Sequence, residues 1–216
     1  MARRNNVTDI YDELRSRIVT GELRGGTLLH EDKLGKEFQL SRTPIRQALQ
    51  KLAYQNLVET KTGVGTLVVP DDRFDLIEDI RVCRDILQIA VKRNSSSLLM
   101  PEDKFELFGL IALQEDCLNH SSVQLLWSIM DKSSALIEKK IDHDLLRKTY
   151  DLLITRIQRR VFNFFSEDLS VIAEIIYQEL EMNRKAENEI QLIKSKLSTL
   201  SLIKSTYSRS TKAKRR

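Results

Sequence analysis

Histidine and cysteine are scarce in this chain of 216 residues, at three and two copies, and their placement removes most metal and redox chemistry. Cys83 and Cys117 lie outside any CxxC or ligand-like spacing, which reads as buried free thiols rather than a disulfide. His30, His120 and His143 are scattered, so no three-histidine metal site is expected. No run approaches the ~20 consecutive apolar residues needed to cross a bilayer. The opening MARRNNVTD also lacks the apolar core of a signal peptide. The expected location is the cytoplasm, with no membrane partner. There is no nucleophile elbow, phosphate loop, HExxH or carboxylate and histidine pairing, so no catalytic residue is named and no enzyme is expected.

What is present is an uneven charge. Residues 1–70 hold 11 basic and 8 acidic residues, residues 71–193 hold 16 and 23, and residues 194–216 hold 8 and none. Positive charge at a nucleic-acid surface releases condensed counterions, so the head is the better candidate for DNA and the acidic middle a poor one. The tail is rich in Ser, Thr, Lys and Arg without apolar period. It reads as disordered over 206–216, with non-specific help in holding DNA as a secondary role.

In the head, Val7, Ile10, Tyr11, Leu14 and Ile18 follow helical spacing over Val7 to Thr20, with Thr8 as a cap. A second helix covers Glu31 to Phe38. A third begins after Ser41, which can cap it, with Pro44 near its first position. Gln39, Leu40 and Ser41 form the turn of a helix-turn-helix. Arg42, Thr43 and Arg46 then project from the start of the reading helix, while Ile45, Ala48, Leu49 and Leu52 face the core. Arginine can fork onto guanine or bind phosphate, and both uses stay open for Arg42 and Arg46; the Ser41 and Thr43 hydroxyls and the helix N-terminus suit phosphate. Beyond it, Leu57 to Lys61 and Thr66 to Val69 read as strands around a tip of Thr62, Gly63, Val64 and Gly65. Gly63 and Gly65 permit positive φ and close approach to a groove, and Lys61 adds charge.

IVTGELRGGTLL, EDKLGKEFQLSRTPIRQALQKL and LVETKTGVGTLVV resemble the GntR family of bacterial transcription regulators over about residues 8–69, with SRTPIRQAL the most specific part. The resemblance implies DNA contacts at Arg42, Thr43 and Arg46, with Ser41 at the cap and Gly63 and Gly65 at the wing tip. The family member best known for fatty-acid control has a DNA-contacting arginine early in helix two, where this chain has Asp32. That contact is not carried over.

After Pro70 the pattern is helical: Phe74 to Lys92, Pro101 to Leu118, Ser122 to Lys140, Leu145 to Phe162, Asp168 to Glu181 and Arg184 to Leu202, with short polar connections such as Asn94 to Ser97 and Asn119 to Ser121. The expected fold is mainly α. A winged helix-turn-helix over 1–70 precedes an all-α bundle over 71–205 that serves effector binding and dimerisation. IEDIRVCRDILQIAVKR, with Arg81 and Asp85, and the stretch LLWSIMDKSSALIEKKIDHDLLRKTYDLLITRIQRRVF are similar to the FadR subgroup. Many of its members hold a divalent metal through an aspartate, a histidine four residues on and two later histidines. Here Asp131 stands at the aspartate position, but Ala135 replaces the first histidine and the later helices contain none. The resemblance therefore implies the metal-free branch, and no metal or cofactor is assigned. Arg156, Arg159 and Arg160 could reach an anionic effector but read better as a solvated face. Tyr150 and Tyr177 read as core or rim, Trp127 as a core anchor. No effector-pocket residue is named.

Two functions follow. The first is a homodimeric regulator that binds a palindromic double-stranded operator and whose helical body senses a small molecule. The alternative keeps the DNA reader but makes the body a dimerisation or protein-interaction module without a ligand.

Overall fold

The computed structural model describes residues 7–94, 97–117 and 122–214, without the side chains of 115–117 and 214. His120, the Asn119 to Ser121 connection, the Leu118 helix end and the Cys117 thiol fall outside what is described. The chain divides between Phe74 and Asp75 into two compact units.

In the first unit, α1 (Val7–Val19) buries Ile10, Leu14 and Ile18 at the helical spacing seen in the sequence. α2 (Glu31–Phe38) ends at Gln39, whose left-handed backbone (φ 56°) lets the Leu40 N–H reach Gly35 O at 2.9 Å. Three residues later α3 (Arg42–Tyr54) begins, so the turn is the expected Gln39, Leu40 and Ser41. Ile45, Ala48, Leu49 and Leu52 are all buried and join the α1 residues in one core. β2 (Val58–Lys61) and β3 (Gly65–Val68) form the wing. A short strand missed in the sequence, β1 (Leu28–Leu29), adds to the far edge of β3, giving the order β1-β3-β2, all antiparallel. Two residues are too few for an alternation to register, so the pairing partner defines this strand.

Among its described residues the second unit is built of helices, with an isolated bridge between Leu98 and Asn188. α4 (Leu76–Arg93) is capped by Asp75, whose carboxylate accepts from the N–H groups of Ile77 (2.8 Å) and Glu78 (3.3 Å). It packs on α7 (Asp144–Phe164) and α9 (Glu189–Lys214), and α9 packs on α8 (Leu169–Arg184). α5 (Pro101–Cys117) lies against α6 (Val123–Glu138) and α8. Trp127 is buried edge-on to Phe162 at 6.1 Å, the anchor role read for it.

Three expectations need correction. Thr8 lies inside α1 instead of capping it. The chain past residue 206 is helical to Lys214, because Tyr207 continues the stripe of Leu200 and Ile203 and packs against Phe164, their rings tilted by 55° with centroids 4.5 Å apart. Arg215 and Arg216 lie outside the described residues. Finally, the arginines of α7 are not a solvated face: Arg159 is buried, and Arg156 is largely buried and pairs with Asp79 at 2.6 Å. An α7 enclosed on several sides turns even its cations inward, and burial pushes the Asp79 carboxyl up against the opposing pull of Arg156.

Candidate nucleic-acid interface

Helical spacing decides what α3 shows to solvent. With Ile45, Ala48, Leu49 and Leu52 turned to the core, Arg42, Thr43 and Arg46 are all exposed on the outer face of its first turns. The first N–H groups of a helix lack intrahelical acceptors and carry partial positive charge, which favours an anion there. Ser41 occupies the N-cap position with extended backbone, yet its side chain makes no capping hydrogen bond, contrary to the expected cap. Its exposed hydroxyl is thereby left to other acceptors.

Neither arginine stands alone. Arg42 donates from Nε to Asp32 Oδ1 at 2.6 Å and from Nη2 to Oδ2 at 3.0 Å. Arg46 donates from Nε to Glu31 Oε1 at 3.1 Å and from Nη2 to Oε2 at 2.9 Å, which raises its already high pKa. Both carboxylates come from the first turn of α2, where the helix-turn-helix angle brings that turn beside the start of α3. No contact is carried over to Asp32 by the family resemblance, and no motif in the sequence marks Glu31. The available signal was an acidic pair 10 and 15 residues before two exposed arginines across a three-residue turn.

At the wing tip the Val64 N–H closes a turn on Lys61 O at 3.0 Å. Gly63 and Gly65 both have positive φ, 76° and 126°, so each serves the conformation for which it was singled out. Gly63 is exposed, and a Cβ there would meet nothing within 4 Å. Gly65 pairs with Lys61 inside the ladder, which shortens the expected four-residue tip to Thr62, Gly63 and Val64. Lys61 Nζ lies 3.3 Å from Glu59, whose other oxygen accepts from Arg73 at 2.8 Å. These two cations, Arg73 first, hold the Glu59 carboxyl below its usual range.

The second unit holds a different polar group, one that sequence reading missed. Lys196 of α9 is buried and donates to both oxygens of Glu179 on α8, at 2.8 and 3.0 Å, and to Ser134 Oγ on α6 at 2.9 Å. Ser133 donates to Glu179 at 2.6 Å, and Gln158 of α7 donates to Ser134 Oγ at 2.8 Å. Gln158 Oε1 accepts from no described residue. Among the described residues no three His, Cys, Asp or Glu side chains are grouped to hold a metal, and no helix is long and apolar enough to cross a membrane.

The model of the gntR family of bacterial regulatory proteins matches residues 6–68. A gluconate operon transcriptional repressor of Bacillus licheniformis is 34% identical over 83 residues, covering 38% of this chain and 34% of that one. The mannosyl-D-glycerate transport/metabolism system repressor MngR of Escherichia coli (strain K12) is 38% identical over 81 residues, covering 37% and 30%. The aligned stretches thus span about a third of the length of these curated relatives. Over nearly the whole chain the fold is similar to E. coli McbR/YncC, with a TM-score of 0.66 at 16% identity over 93% of this chain and 98% of that one. A putative transcriptional regulator GntR from Rhodococcus sp. RHA1 reaches 0.51 at 20% identity over 92% and 97%.

Proposed function

We propose that the chain is a sequence-specific DNA-binding transcriptional regulator of the repressor kind, a reading supported by the match of residues 6–68 to the gntR family model and by a mainly helical second unit. The carrying observation is the solvent face of α3, where two guanidiniums and two hydroxyls surround a helix N-terminus. Arg42, Thr43 and Arg46 enter the major groove, Ser41 binds a flanking phosphate, and Gly63 and Gly65 let the wing backbone approach the adjacent groove. The protein acts as a homodimer, since two heads reading a palindrome gain specificity that one small head lacks. The two repressors among the relatives support the sign of regulation.

The body couples to a small-molecule effector, which changes operator affinity only through unequal affinity for the two head arrangements. Its support is the buried polar cluster around Gln158, whose Oε1 is an acceptor without a donor among the described residues. The second reading, a body that only dimerises, draws on the same cluster: Lys196 and Glu179 already satisfy one another. Thermal-shift and operator-release screens with metabolites separate the two. A ligand that raises the melting temperature and changes operator affinity supports sensing; a screen in which no metabolite does both supports the simpler body.

The DNA assignment is tested by selecting bound fragments with the purified protein and measuring the recovered site against Arg42→Ala and Arg46→Ala. Each change is expected to cost about 1–3 kcal/mol of specific binding with the fold intact. Failure to recover any recurrent palindrome, or full affinity in both variants, overturns it.

A further inference from the structure

The two arginines of α3 are held in the same way, and the manner of holding carries information. A guanidinium has a side edge, Nε with Nη2, and an end edge, Nη1 with Nη2. Asp32 takes the side edge of Arg42, as Glu31 takes that of Arg46. In each pair the carboxylate leaves the end edge unengaged, and that edge has the spacing that matches guanine O6 and N7. The Arg42 and Asp32 side chains are 70% and 62% exposed, so their pair adds little to folding stability. An acidic side chain on a surface meant for phosphates would weaken binding unless it did something else.

We propose that Asp32 is a positioning residue for specificity: it fixes Arg42 by the side edge so that the end edge reads a guanine, and it offsets the charge that would otherwise hold any phosphate. This inference rests on the DNA-reading role proposed above for α3. Its consequences differ from those of an ordinary contact. Removing a phosphate or base contact weakens operator binding. Removing Asp32 leaves a mobile, uncompensated cation, so binding to arbitrary duplex strengthens while discrimination falls. Salt dependence changes too, because a released arginine that neutralises one more phosphate steepens the slope of log K against log salt by about 0.9.

The experiment measures binding of the full chain to its selected operator and to a scrambled duplex of equal length at several salt concentrations. It compares wild type, Asp32→Asn and Asp32→Glu. A second operator carries 7-deazaguanine, which lacks the N7 acceptor, at each guanine in turn. For Asp32→Asn the expected result is tighter binding to the scrambled duplex and a steeper salt slope. The operator-to-scrambled ratio should fall roughly tenfold, within the range that one bidentate arginine contact supplies. Asp32→Glu keeps the carboxylate and should recover most of the ratio. One 7-deazaguanine position should weaken wild type but not Asp32→Asn. An unchanged ratio, or equal weakening on both duplexes, overturns the inference while leaving the regulator reading intact. Absence of any preferred operator in wild type instead removes the reading on which it rests.

Discussion

Cys83 shows how one buried residue sets a pH limit. Its thiol sits in the core of the second unit, and burial pushes its pKa from an ordinary value of 9.0 up to about 12, against a smaller pull from Lys196. Below pH 9 the thiol is protonated in both folded and unfolded chains and contributes no pH dependence. Between pH 9 and 12 only the unfolded chain releases the proton. Stability is therefore lost as pH rises through that window, by up to about 1.4 kcal/mol per pH unit. Urea unfolding from pH 8 to 11 should show this slope, and Cys83→Ala should flatten it. A residual slope should remain from Tyr150, which burial pushes the same way. An equal slope in both proteins would assign the alkaline loss elsewhere. Some of this was legible in the sequence: isolated cysteines read as buried free thiols, and Cys83 is one. Which neighbours hold the charge was not. Arg159 is buried and Arg156 reaches 77 residues back to Asp79, a pairing that no local period encodes.

Among the elements, helices with a clear apolar stripe were readable to within a few residues, and the ones that confused the reading put polar groups inside. α9 is the instructive case. Leu192, Ile193, Leu200 and Ile203 lie on its buried face with Lys196 among them. The expected helix, Arg184 to Leu202, runs through Lys196 but carries no sign that this ammonium is buried, and its bounds differ from Glu189–Lys214 at both ends. The ammonium closes on Glu179 of α8, and an ion pair taken out of water is costly unless both halves remain. Lys196→Met should leave the Glu179 carboxylate buried without its cation, at a cost of about 3–5 kcal/mol in urea unfolding. Adding Glu179→Leu removes the stranded charge, and more than half of that loss should return despite the hydrogen bond from Ser133. If the double variant is as unstable as the sum of the two single ones, Lys196 and Glu179 are not acting as a pair.

For the whole molecule, the proposed reading of a palindrome requires a second copy, because a palindrome presents the same edge twice. α5 offers the surface for it. Its outer face carries Phe105 and Phe108, 83% and 61% exposed. A phenylalanine exposes about 200 Å² in full, so these two leave about 300 Å² per copy, near the upper size for an uncovered apolar patch. About 600 Å² over two copies is roughly half of the smallest stable interface, and Leu98 and Met100 ahead of the helix, both exposed, extend it. An antiparallel, two-fold crossing of α5 on itself is the predicted arrangement: it would set Phe108 of one copy over Gly109 of the other, where nothing in the single chain stands within 4 Å of a Cβ position. Such a face is self-complementary, as a two-fold interface must be. Phe105→Glu with Phe108→Glu removes the apolar area and sets like charges against each other across the axis. Sedimentation should then give a monomer with an unchanged helical circular dichroism signal. Operator binding should fall to the strength of one head on a half-site, and moving the half-sites apart should no longer alter affinity. A variant that still sediments as a dimer with full operator affinity would place the second copy on another face of the body.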